Sequence, residues 1–516
     1  MEKTEVKKHI GIYTLLGIGL GSIIGSGIFA LPAAMGAVAG PGLILAIIIS
    51  GLISIFFALG YAELGATYSI EGGPYAFPRL AMGNFIGFLM GWGYFIYLFV
   101  GTAAIIDIFV VYLGFYIPGL AVAGTLTPWG IAIALAFLWI FTFINIKGVK
   151  YGGIYSLVTT IGKLIPLLLF FVVGLFFTKT TNFTPFLPFG MTGVTLAVTM
   201  FFWSYTGFEA IVVPAEEIEK PHKTIPLAMI LTMIISIIVY LLIALIFVGM
   251  IDWGSINLSY KGWSALEILS APLSDVAKGL NLAWLAAIAT VGAIIATGGS
   301  GGTWVLIQGR MPHAMAKDNL FWNKMAESHP KYKTPAKGLL LSSVLSSIIL
   351  IALPHFASVA LIASVTVIVP YAAAMLALVL LRKNDPEIKR PFKIPLVKTF
   401  ALIGFVLATI LVYWASWPWT LIGGLLLFTG YPASLFLKTK RTHPFKKSLW
   451  FPIYVIGIVI ISFIGDSKFC FKNFTGIDPL GYLTMPYDFI ALAVFATLIF
   501  GWAYRIYGKT PTKEES

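Results

Sequence analysis

Two apolar stretches of the sequence are interrupted near their middle by residues that form helices poorly. The first contains Gly25, Ser26 and Gly27, and the second contains small and polar residues at 204–207. Glycine and serine lower helix propensity, so we expect the backbone to unwind at both places. Free N–H groups at the start of a helix suit a carboxylate, and opposing carbonyl groups suit an ammonium. A small zwitterion would fit such a site.

Helix packing is the alternative reading of the first interruption. Glycine recurs at every fourth residue from Gly17 to Gly25, which is typical of closely packed membrane helices. Packing requires one small residue per turn, however, and not three in a row. Peptide groups freed inside a membrane must line a cavity or meet a ligand.

Two ionisable residues lie inside apolar stretches. Lys163 is near the middle of the run 152–177, and Glu209 directly follows the second interruption. Such residues are costly in a membrane and by default indicate function. Burial disfavours the charged form of a lysine, which makes proton exchange near neutral pH feasible. The alternatives are a structural lysine paired with Asp107 or Glu209, and a Glu209 held by a local partner beside a kink at Pro214.

The composition places these residues in a membrane. Hydrophobic residues form 59% of the 516 residues and charged residues only 11%, whereas soluble domains carry about 25% charged residues. So few charges cannot cover a soluble protein of this length. The net charge of +13 is explained by basic loops that meet anionic lipid headgroups, and we predict no nucleic acid partner.

Hydropathy predicts an all-α polytopic membrane protein with about 14 transmembrane helices. A spanning helix needs roughly 20 apolar residues. The first span is longer than the apolar core of a signal peptide, so we expect it to be retained. The segments that qualify are 11–36, 41–66, 84–115, 127–146, 152–177, 191–215, 225–251, 281–308, 337–354, 358–381, 398–416, 418–437, 448–465 and 487–507.

The basic residues predict the orientation. Most of the 34 lysines and arginines fall in the two termini and in alternate loops. By the positive-inside rule, both termini of a multi-pass protein of the cell membrane would then be cytoplasmic. The predicted outer loops hold few basic residues, namely Lys179, Lys261, Lys278, Lys468 and Lys472.

The two interruptions fall in the first and sixth predicted spans. This is the pattern of two five-helix repeats with inverted topology, each opening with a discontinuous helix. We therefore predict a 5+5 inverted-repeat transporter fold with broken helices 1 and 6. The predicted parts are a cytoplasmic N-terminus at 1–10, the first repeat at 11–177, the second repeat at 191–381, helices 11 and 12 at 398–437, two additional C-terminal helices at 448–507 and a cytoplasmic tail at 508–516.

Several motifs, in order along the chain, resemble those of the amino acid–polyamine–organocation (APC) superfamily. Residues 25–29 resemble its first-helix signature, and residues 205–209 resemble its sixth-helix motif. Residues 61–64 with 72–75 resemble the end of the second helix and the next loop. Residues 310–318 resemble the loop after the eighth helix. The final two spans go beyond the family's usual twelve.

The resemblance implies a substrate site built from both breaks. In the family, the unwound first helix binds the substrate carboxylate and amine through backbone groups, and the unwound sixth helix contributes carbonyls and an aromatic gate. For Trp203 the alternative is ordinary aromatic packing in the membrane. Carried onto this sequence, the implied substrate-binding residues are Ile23, Gly25, Ser26, Gly27, Ile28, Trp203, Ser204, Thr206 and Gly207.

The resemblance also implies a coupling site. A fifth-helix lysine, here Lys163, occupies the place of a sodium ion in sodium-coupled relatives. Its implied neighbours are carbonyls near Gly21 and a hydroxyl such as Ser300, and Glu209 completes the set. The glycine-rich run 297–302 around Ser300 suits tight packing better than direct substrate contact.

The predicted function is secondary active transport of amino acids by alternating access, with proton-coupled symport of neutral amino acids favoured. An amino acid or polyamine exchanger on the same scaffold stays open, and an ion channel is a remote alternative because channels repeat a filter segment. We predict no enzymatic activity, because no catalytic or metal-binding side chains cluster at one membrane face. We also predict no metal site or cofactor, since no zinc-site spacing or P-loop occurs. The predicted partners are the amino acid, the coupling proton and membrane lipids.

Overall fold

The computed structural model describes the backbone of residues 10–68, 70, 72–122, 124–148, 152–213, 218–254, 262–437, 445–465 and 477–508, of which 152–158 and 445 are described without their side chains. This part of the chain is almost entirely helical. A two-stranded antiparallel hairpin pairs β1 (Ala121–Val122) with β2 (Thr125–Leu126). The α-helices are α1 (Ile12–Ile23), α2 (Ser26–Ala39), α3 (Leu43–Tyr68), α4 (Ala76–Met82), α5 (Asn84–Leu113), α6 (Pro128–Lys147), α7 (Gly152–Gly174), α8 (Gly190–Tyr205), α9 (Pro221–Met250), α10 (Pro272–Gly279), α11 (Ala283–Lys317), α12 (Ala336–Ala352), α13 (Phe356–Asn384), α14 (Val397–Trp414), α15 (Trp419–Phe428), α16 (Gly430–Phe436), α17 (Trp450–Ile464) and α18 (Tyr487–Tyr507).

Short 3₁₀ helices join or extend these elements. They are Gly40–Gly42, Leu175–Phe177, Thr180–Phe183, Phe208–Ile211, Gly262–Ile268, Asn323–Ala326 and Phe445–Ser448.

Twelve helical stretches of the described residues are long and apolar enough to cross a membrane, which confirms the all-α polytopic class. The stretch Ile12–Tyr68 has 57 residues and contains the first two predicted spans. The helix Ala336–Ala352, at the ninth predicted span, has only 17 residues. The count of fourteen transmembrane helices therefore stays a prediction.

The first predicted span is discontinuous in the structure. The helix α1 ends at Ile23, and the amide of Ile24 donates the last bond of that helix to Leu20 O. Ile24 is extended, with ψ 92°, and Gly25 has φ −139° and ψ −135°, so neither residue continues the helix. A new helix, α2, begins at Ser26.

The sixth predicted span is discontinuous as well. The helix α8 ends at Tyr205, Thr206 is extended, and Gly207 is left-handed with φ 105°. The chain resumes as the 3₁₀ helix Phe208–Ile211. Only glycine adopts this φ without strain, and an added Cβ at Gly207 would lie 3.1 Å from Ser22 O. Gly207 therefore sets the break and brings it against α1.

Burial shows which helices form the centre of the protein. We compared the most apolar 18 residues of each stretch by the share of them that is buried. All of these residues are buried in Gly190–Ile211 and in Phe356–Asn384, and 94% are buried in Asn84–Leu113. Only 28% are buried in Pro128–Lys147. A helix that is apolar on all sides and buried lies among other helices, whereas a less buried one faces lipid. The broken sixth span therefore lies inside the bundle, where α8 packs against α2, α3 and α13.

The last two helices pack against α14 and α15 through buried polar pairs. Thr409 in α14 lies 3.0 Å from the hydroxyl of Tyr454 in α17. Tyr413, also in α14, donates to Asp488 Oδ2 in α18 over 2.9 Å. Since interhelical hydrogen bonds stabilise helix association in membranes, α17 and α18 are firmly joined to the rest of the bundle.

Candidate functional site

The two helix breaks lie against each other and enclose a small cavity. Close contact between the breaks requires glycine, because a Cβ at Gly27 would overlap the Oγ of Ser204. The free volume is about 10 Å³, which is roughly the space of one water molecule. The residues that line it are Ser22, Ile23, Gly25, Ser26, Gly27, Ile105, Trp203, Ser204, Thr206, Ser300 and Trp304.

The structure brings most of the sequence-predicted binding residues to this cavity. The two exceptions are Ile28 and Gly207. Ile28 is the third residue of α2, and its side chain is fully buried in the apolar core. Gly207 contacts Ser22 from the other side of the break. Three further residues line the cavity that were not predicted from the sequence, namely Ser22, Ile105 and Trp304.

A short hydrogen-bond chain connects the breaks. The indole Nε1 of Trp203 donates to Ser26 Oγ over 3.2 Å. The hydroxyl of Thr206 donates to Trp203 O over 2.7 Å, and the amide of Thr206 donates to the same carbonyl over 3.2 Å. Ser26, at the start of α2, is thereby tied to the end of α8.

Tyr240 in α9 forms hydrogen bonds to both breaks, although it was not predicted from the sequence. Its hydroxyl lies 2.7 Å from Ile23 O and 2.9 Å from Ser204 O, so it is within donating distance of both carbonyls. The side chain is fully buried. A tyrosine in an otherwise aliphatic span was the available signal, because a buried tyrosine hydroxyl usually has a partner.

Two cavity-lining hydroxyls have no hydrogen-bond partner among the described residues. They belong to Ser204 and Ser300, and both atoms are buried. Buried polar groups of proteins are nearly always bonded, so an exception needs an explanation. Here both hydroxyls face a cavity, and a bound solute would supply the missing partner.

Lys163 in α7 donates a hydrogen bond to the backbone of α1 just before its break. Its Nζ donates to Gly21 O over 2.7 Å, and the side chain is 2% exposed. Gly21 lies in the last turn of α1, where the helix dipole favours a positive charge. The ion pairs of the described residues are Arg79–Asp318, Lys179–Asp252, Lys337–Glu327 and Arg382–Glu63, none of which involves Lys163.

The structure thus contains one of the two predicted neighbours of Lys163. The carbonyl of Gly21 is present, but the hydroxyl of Ser300 makes no hydrogen bond within the described part of the chain. Ser300 instead lies against the backbone of the first break, where a Cβ added to Gly25 would be 3.2 Å from its Oγ. In this conformation no hydrogen bond joins Ser300 to Lys163.

Glu209 is bonded to its own break and does not line the cavity. The amide of Gly207 donates to its Oε2 over 3.0 Å, and the hydroxyl of Tyr94 donates to its Oε1 over 3.2 Å. The residue is 1% exposed. Its carboxylate is thus bonded to the left-handed turn at Gly207, beside the cavity and not within it.

Asp107 in α5 is a buried carboxyl without a bonded partner in the described region. It is 1% exposed, and neither of its oxygens accepts a hydrogen bond there. It does not pair with Lys163, which removes one alternative explanation of that lysine. Over the same residues, no group of three or more His, Cys, Asp and Glu side chains is placed to hold a metal ion.

Glu63, near the C-terminal end of α3, forms an ion pair with Arg382. Arg382 at the end of α13 donates from Nε to Glu63 Oε1 over 2.6 Å, and the amide of Ile394 donates to Glu63 Oε2 over 2.8 Å. Glu63 is 1% exposed, so it is not solvated. The pair ties α3 to α13 and to the chain that follows α13.

Comparison with known proteins agrees with this architecture. A family model described as "Amino acid permease" matches residues 10–463. The glutamate/serine transporter AimA of Bacillus subtilis (strain 168) is 27% identical, with 97% of this chain and 94% of the relative covered. The aspartate-proton symporter of the same strain is 28% identical, with 96% of each chain covered. The branched-chain amino acid permease BcaP of that strain is 27% identical, with 82% of this chain and 93% of the relative covered.

These similarities confirm the resemblance that the motifs predicted. The matched family and the relatives are transporters, which also confirms the prediction that the chain is not an enzyme.

Proposed function

Because the chain belongs to the amino acid permease family of the APC superfamily, we propose that it transports neutral amino acids in symport with protons. Transport of amino acids follows from the family and its relatives. The neutral substrate, the proton and the roles of single residues are our proposal. The observation that carries it is the uncharged cavity between two helix breaks, next to a lysine bonded to α1.

The cavity supports a zwitterionic substrate. The first N–H groups of α2 have no partner within the helix, and they suit the substrate carboxylate. The carbonyl ends of α1 and α8 suit its ammonium group. Ile23, Gly25, Ser26 and Gly27 supply the first break, and Ser204 and Thr206 supply the second.

The lining favours a neutral side chain. It consists of glycine, serine, threonine, isoleucine and tryptophan residues, and no ionisable side chain is among them. A charged substrate side chain buried there would lack a counter-charge, which is costly at low dielectric. The relatives are named for glutamate, serine, aspartate and branched-chain substrates, so their names do not select a substrate class. The cavity does so in our proposal.

Lys163 is the proposed proton carrier. When protonated, its Nζ binds Gly21 O and holds α1 against α7. Loss of the proton removes the charge from this contact and weakens the hold on α1. The substrate is bound next to the end of the same helix, so protonation and substrate binding both act on the position of α1. A relative is named an aspartate-proton symporter, which supports proton coupling in this family.

Alternating access would follow from the predicted 5+5 repeat. In this proposal, residues 11–177 and 191–381 form the two inverted repeats, and each opens with one of the broken helices. The two breaks stay together at the centre while the surrounding helices rock around them. Glu209 keeps the second break in shape through the amide of Gly207. Both termini would face the cytoplasm.

Uptake into proteoliposomes tests the proposal. A panel of labelled amino acids is offered under an inward proton gradient, an inward sodium gradient or neither. We expect accumulation of neutral amino acids with the proton gradient only. Sodium-driven uptake without proton dependence, uptake only into liposomes preloaded with amino acid, or a preference for acidic or cationic substrates would each contradict it.

The variant Lys163→Ala isolates the coupling role. We expect it to exchange labelled for unlabelled substrate across the membrane but to lose gradient-driven accumulation. The matched control is Lys179→Ala, which removes a half-exposed lysine that pairs with Asp252 over 2.8 Å. Accumulation that persists in Lys163→Ala would refute the role of Lys163.

A further inference from the structure

One face of α5 forms the wall behind the cavity. Tyr97, Gly101 and Ile105 are spaced four residues apart, so they lie on one side of the helix. Ile105 lines the cavity directly. Tyr97 and Gly101 contact the cavity-lining tryptophans Trp203 and Trp304 from behind.

The two tryptophan rings rest on Gly101. A Cβ at this position would lie 2.8 Å from Trp203 Cη2 and 3.1 Å from Trp304 Cη2, and it would overlap Trp304 Cζ3. The ring centroids are 5.5 Å apart, and the residues are only 4% and 6% exposed. Each ring therefore occupies space that is free only because residue 101 has no side chain.

The backbone of α5 is held in place at this level. Ser346 in α12 donates to Phe99 O over 2.8 Å, two residues before Gly101. Buried helices are closely packed, so an added methyl group must displace its neighbours. With the α5 backbone fixed, the atoms that can move are the indole rings, and the free space in front of them is the cavity.

We propose that Gly101 determines which side chains the transporter accepts. With Gly101 behind them, Trp203 and Trp304 lie back against α5, so that a small neutral side chain fits once the breaks open around the substrate. The position of the two rings sets the upper limit of that side chain's size. This inference rests on the proposed function, because it takes the cavity between the breaks as the substrate site. Gly101 contacts no substrate itself, so it is a positioning residue.

The variant Gly101→Ala should narrow the site. Larger substrates lose most, because each methylene of a side chain in an apolar pocket changes discrimination about tenfold or more. We expect glycine and alanine to be transported almost as by the unmodified protein. For valine and leucine we expect KM to rise at least about tenfold relative to alanine, with little change in the maximal rate.

The experiment measures uptake and mutual competition of glycine, alanine, serine, valine and leucine in proteoliposomes. Ratios between substrates are compared within one preparation, so differences in the amount of folded protein cancel. The control is Gly91→Ala on the same helix. A Cβ there would lie 2.7 Å from Met315 Cε, the flexible end of a side chain outside the cavity, and the substrate ratios should not change.

A second variant protects the test against misfolding of Gly101→Ala. Trp304→Phe removes the ring atoms that an alanine at 101 would overlap. Alone it should relax the size limit and admit leucine more readily, and in combination with Gly101→Ala it should restore the original ratios. Unchanged ratios in Trp304→Phe would contradict the inference even if Gly101→Ala does not fold.

The outcomes separate this inference from the proposed function. A loss that is uniform across the five substrates in Gly101→Ala would overturn the role of Gly101 and leave neutral amino acid transport intact. If the unmodified protein takes up none of the five, the proposed function fails and the inference fails with it. A selective loss of the larger substrates, reversed by Trp304→Phe, supports both.

Discussion

The polar groups around Gln308 and those around the helix breaks are equally buried, but they are bonded in opposite ways. Gln308 in α11 donates from Nε2 to Ser343 Oγ over 3.2 Å and accepts at Oε1 from Ser346 over 3.0 Å. Ser343 in turn lies 2.7 Å from Thr142 Oγ1 in α6. At the breaks, the hydroxyls of Ser204 and Ser300 have no partner among the described residues.

This difference separates a part that holds its shape from a part that binds. A fully satisfied buried network makes its members rigid with respect to one another, and the Gln308 network joins α5, α6, α11 and α12. Hydroxyls without a hydrogen-bond partner beside a cavity are available to bond a ligand. Substitutions in the first region should therefore change stability, and those in the second should change transport.

The largest effect is expected for Gly27→Ala at the contact between the breaks. The new Cβ would overlap Ser204, including its backbone Cα at 3.0 Å, so the breaks cannot keep their spacing. Such overpacking costs about 1–3 kcal/mol, and we expect uptake to fall more than about 100-fold, as 1 Å displacements at active sites do. Initial uptake rates in proteoliposomes measure the loss. Gly17→Ala is the control, because its Cβ would have nothing within 4 Å. Equal activity of both variants would mean that the breaks do not touch during transport.

The second effect is expected in the rigid region. Gln308→Met keeps the volume but leaves the hydroxyls of Ser343 and Ser346 with fewer partners, at a cost of about 1–3 kcal/mol. Thermal unfolding in detergent should show the lower stability, whereas uptake per folded molecule should stay the same. Thr297→Val on the same helix removes only a bond to Ala293 O within α11, so it should cost less. A Gln308→Met protein that is stable but inactive would reverse the assignment of the two regions.

The sequence predicted the site in part, and the missing parts have a common physical reason. Glycine and serine in a row lower helix propensity locally, so the positions of both breaks could be read from the residues themselves. That Lys163 needs a polar partner followed from its place inside an apolar span, whereas the carbonyl near Gly21 was implied by the family resemblance. Trp304 and Ile105 could not be identified, since their role depends on how distant helices pack. For Tyr240 the sequence indicated only that a buried hydroxyl needs a partner, and not which one.

Side-chain direction was a second limit. Ile28 was expected at the substrate, but each residue of a helix turns by about 100° from the one before it. The direction of Ile28 therefore depends on where α2 begins, and the structure starts this helix at Ser26. The ion-pair partners Glu63 and Arg382 are 319 residues apart, and no local pattern links them.

A smaller effect is expected for Tyr240→Phe. Tyr240 has features of both regions, because its hydroxyl is hydrogen-bonded and also contacts the breaks. The variant removes the hydroxyl that lies within 3 Å of Ile23 O and Ser204 O. A neutral hydrogen bond contributes about 0.5–1.5 kcal/mol, so stability should fall slightly and the KM for substrate should rise up to about tenfold. Uptake as a function of substrate concentration measures it. Tyr454→Phe, which removes a buried hydroxyl near Thr409 far from the breaks, should leave KM unchanged. If both variants change KM alike, Tyr240 has no special role at the breaks.

The smallest effect tests the unsatisfied hydroxyls themselves. Ser300→Ala removes a hydroxyl that bonds to nothing in the described part of the chain, so the free energy of unfolding should stay within about 0.5 kcal/mol of the original. Substrate affinity should nevertheless fall about three- to tenfold, since one hydrogen bond to the ligand is lost. Ser346→Ala, in the satisfied network, should do the opposite and lower stability without lowering affinity. Ligand titrations followed by thermal unfolding report both quantities on one sample. If Ser300→Ala lowers stability as much as Ser346→Ala does, the hydroxyl of Ser300 is structural, and the contrast between the two regions does not hold.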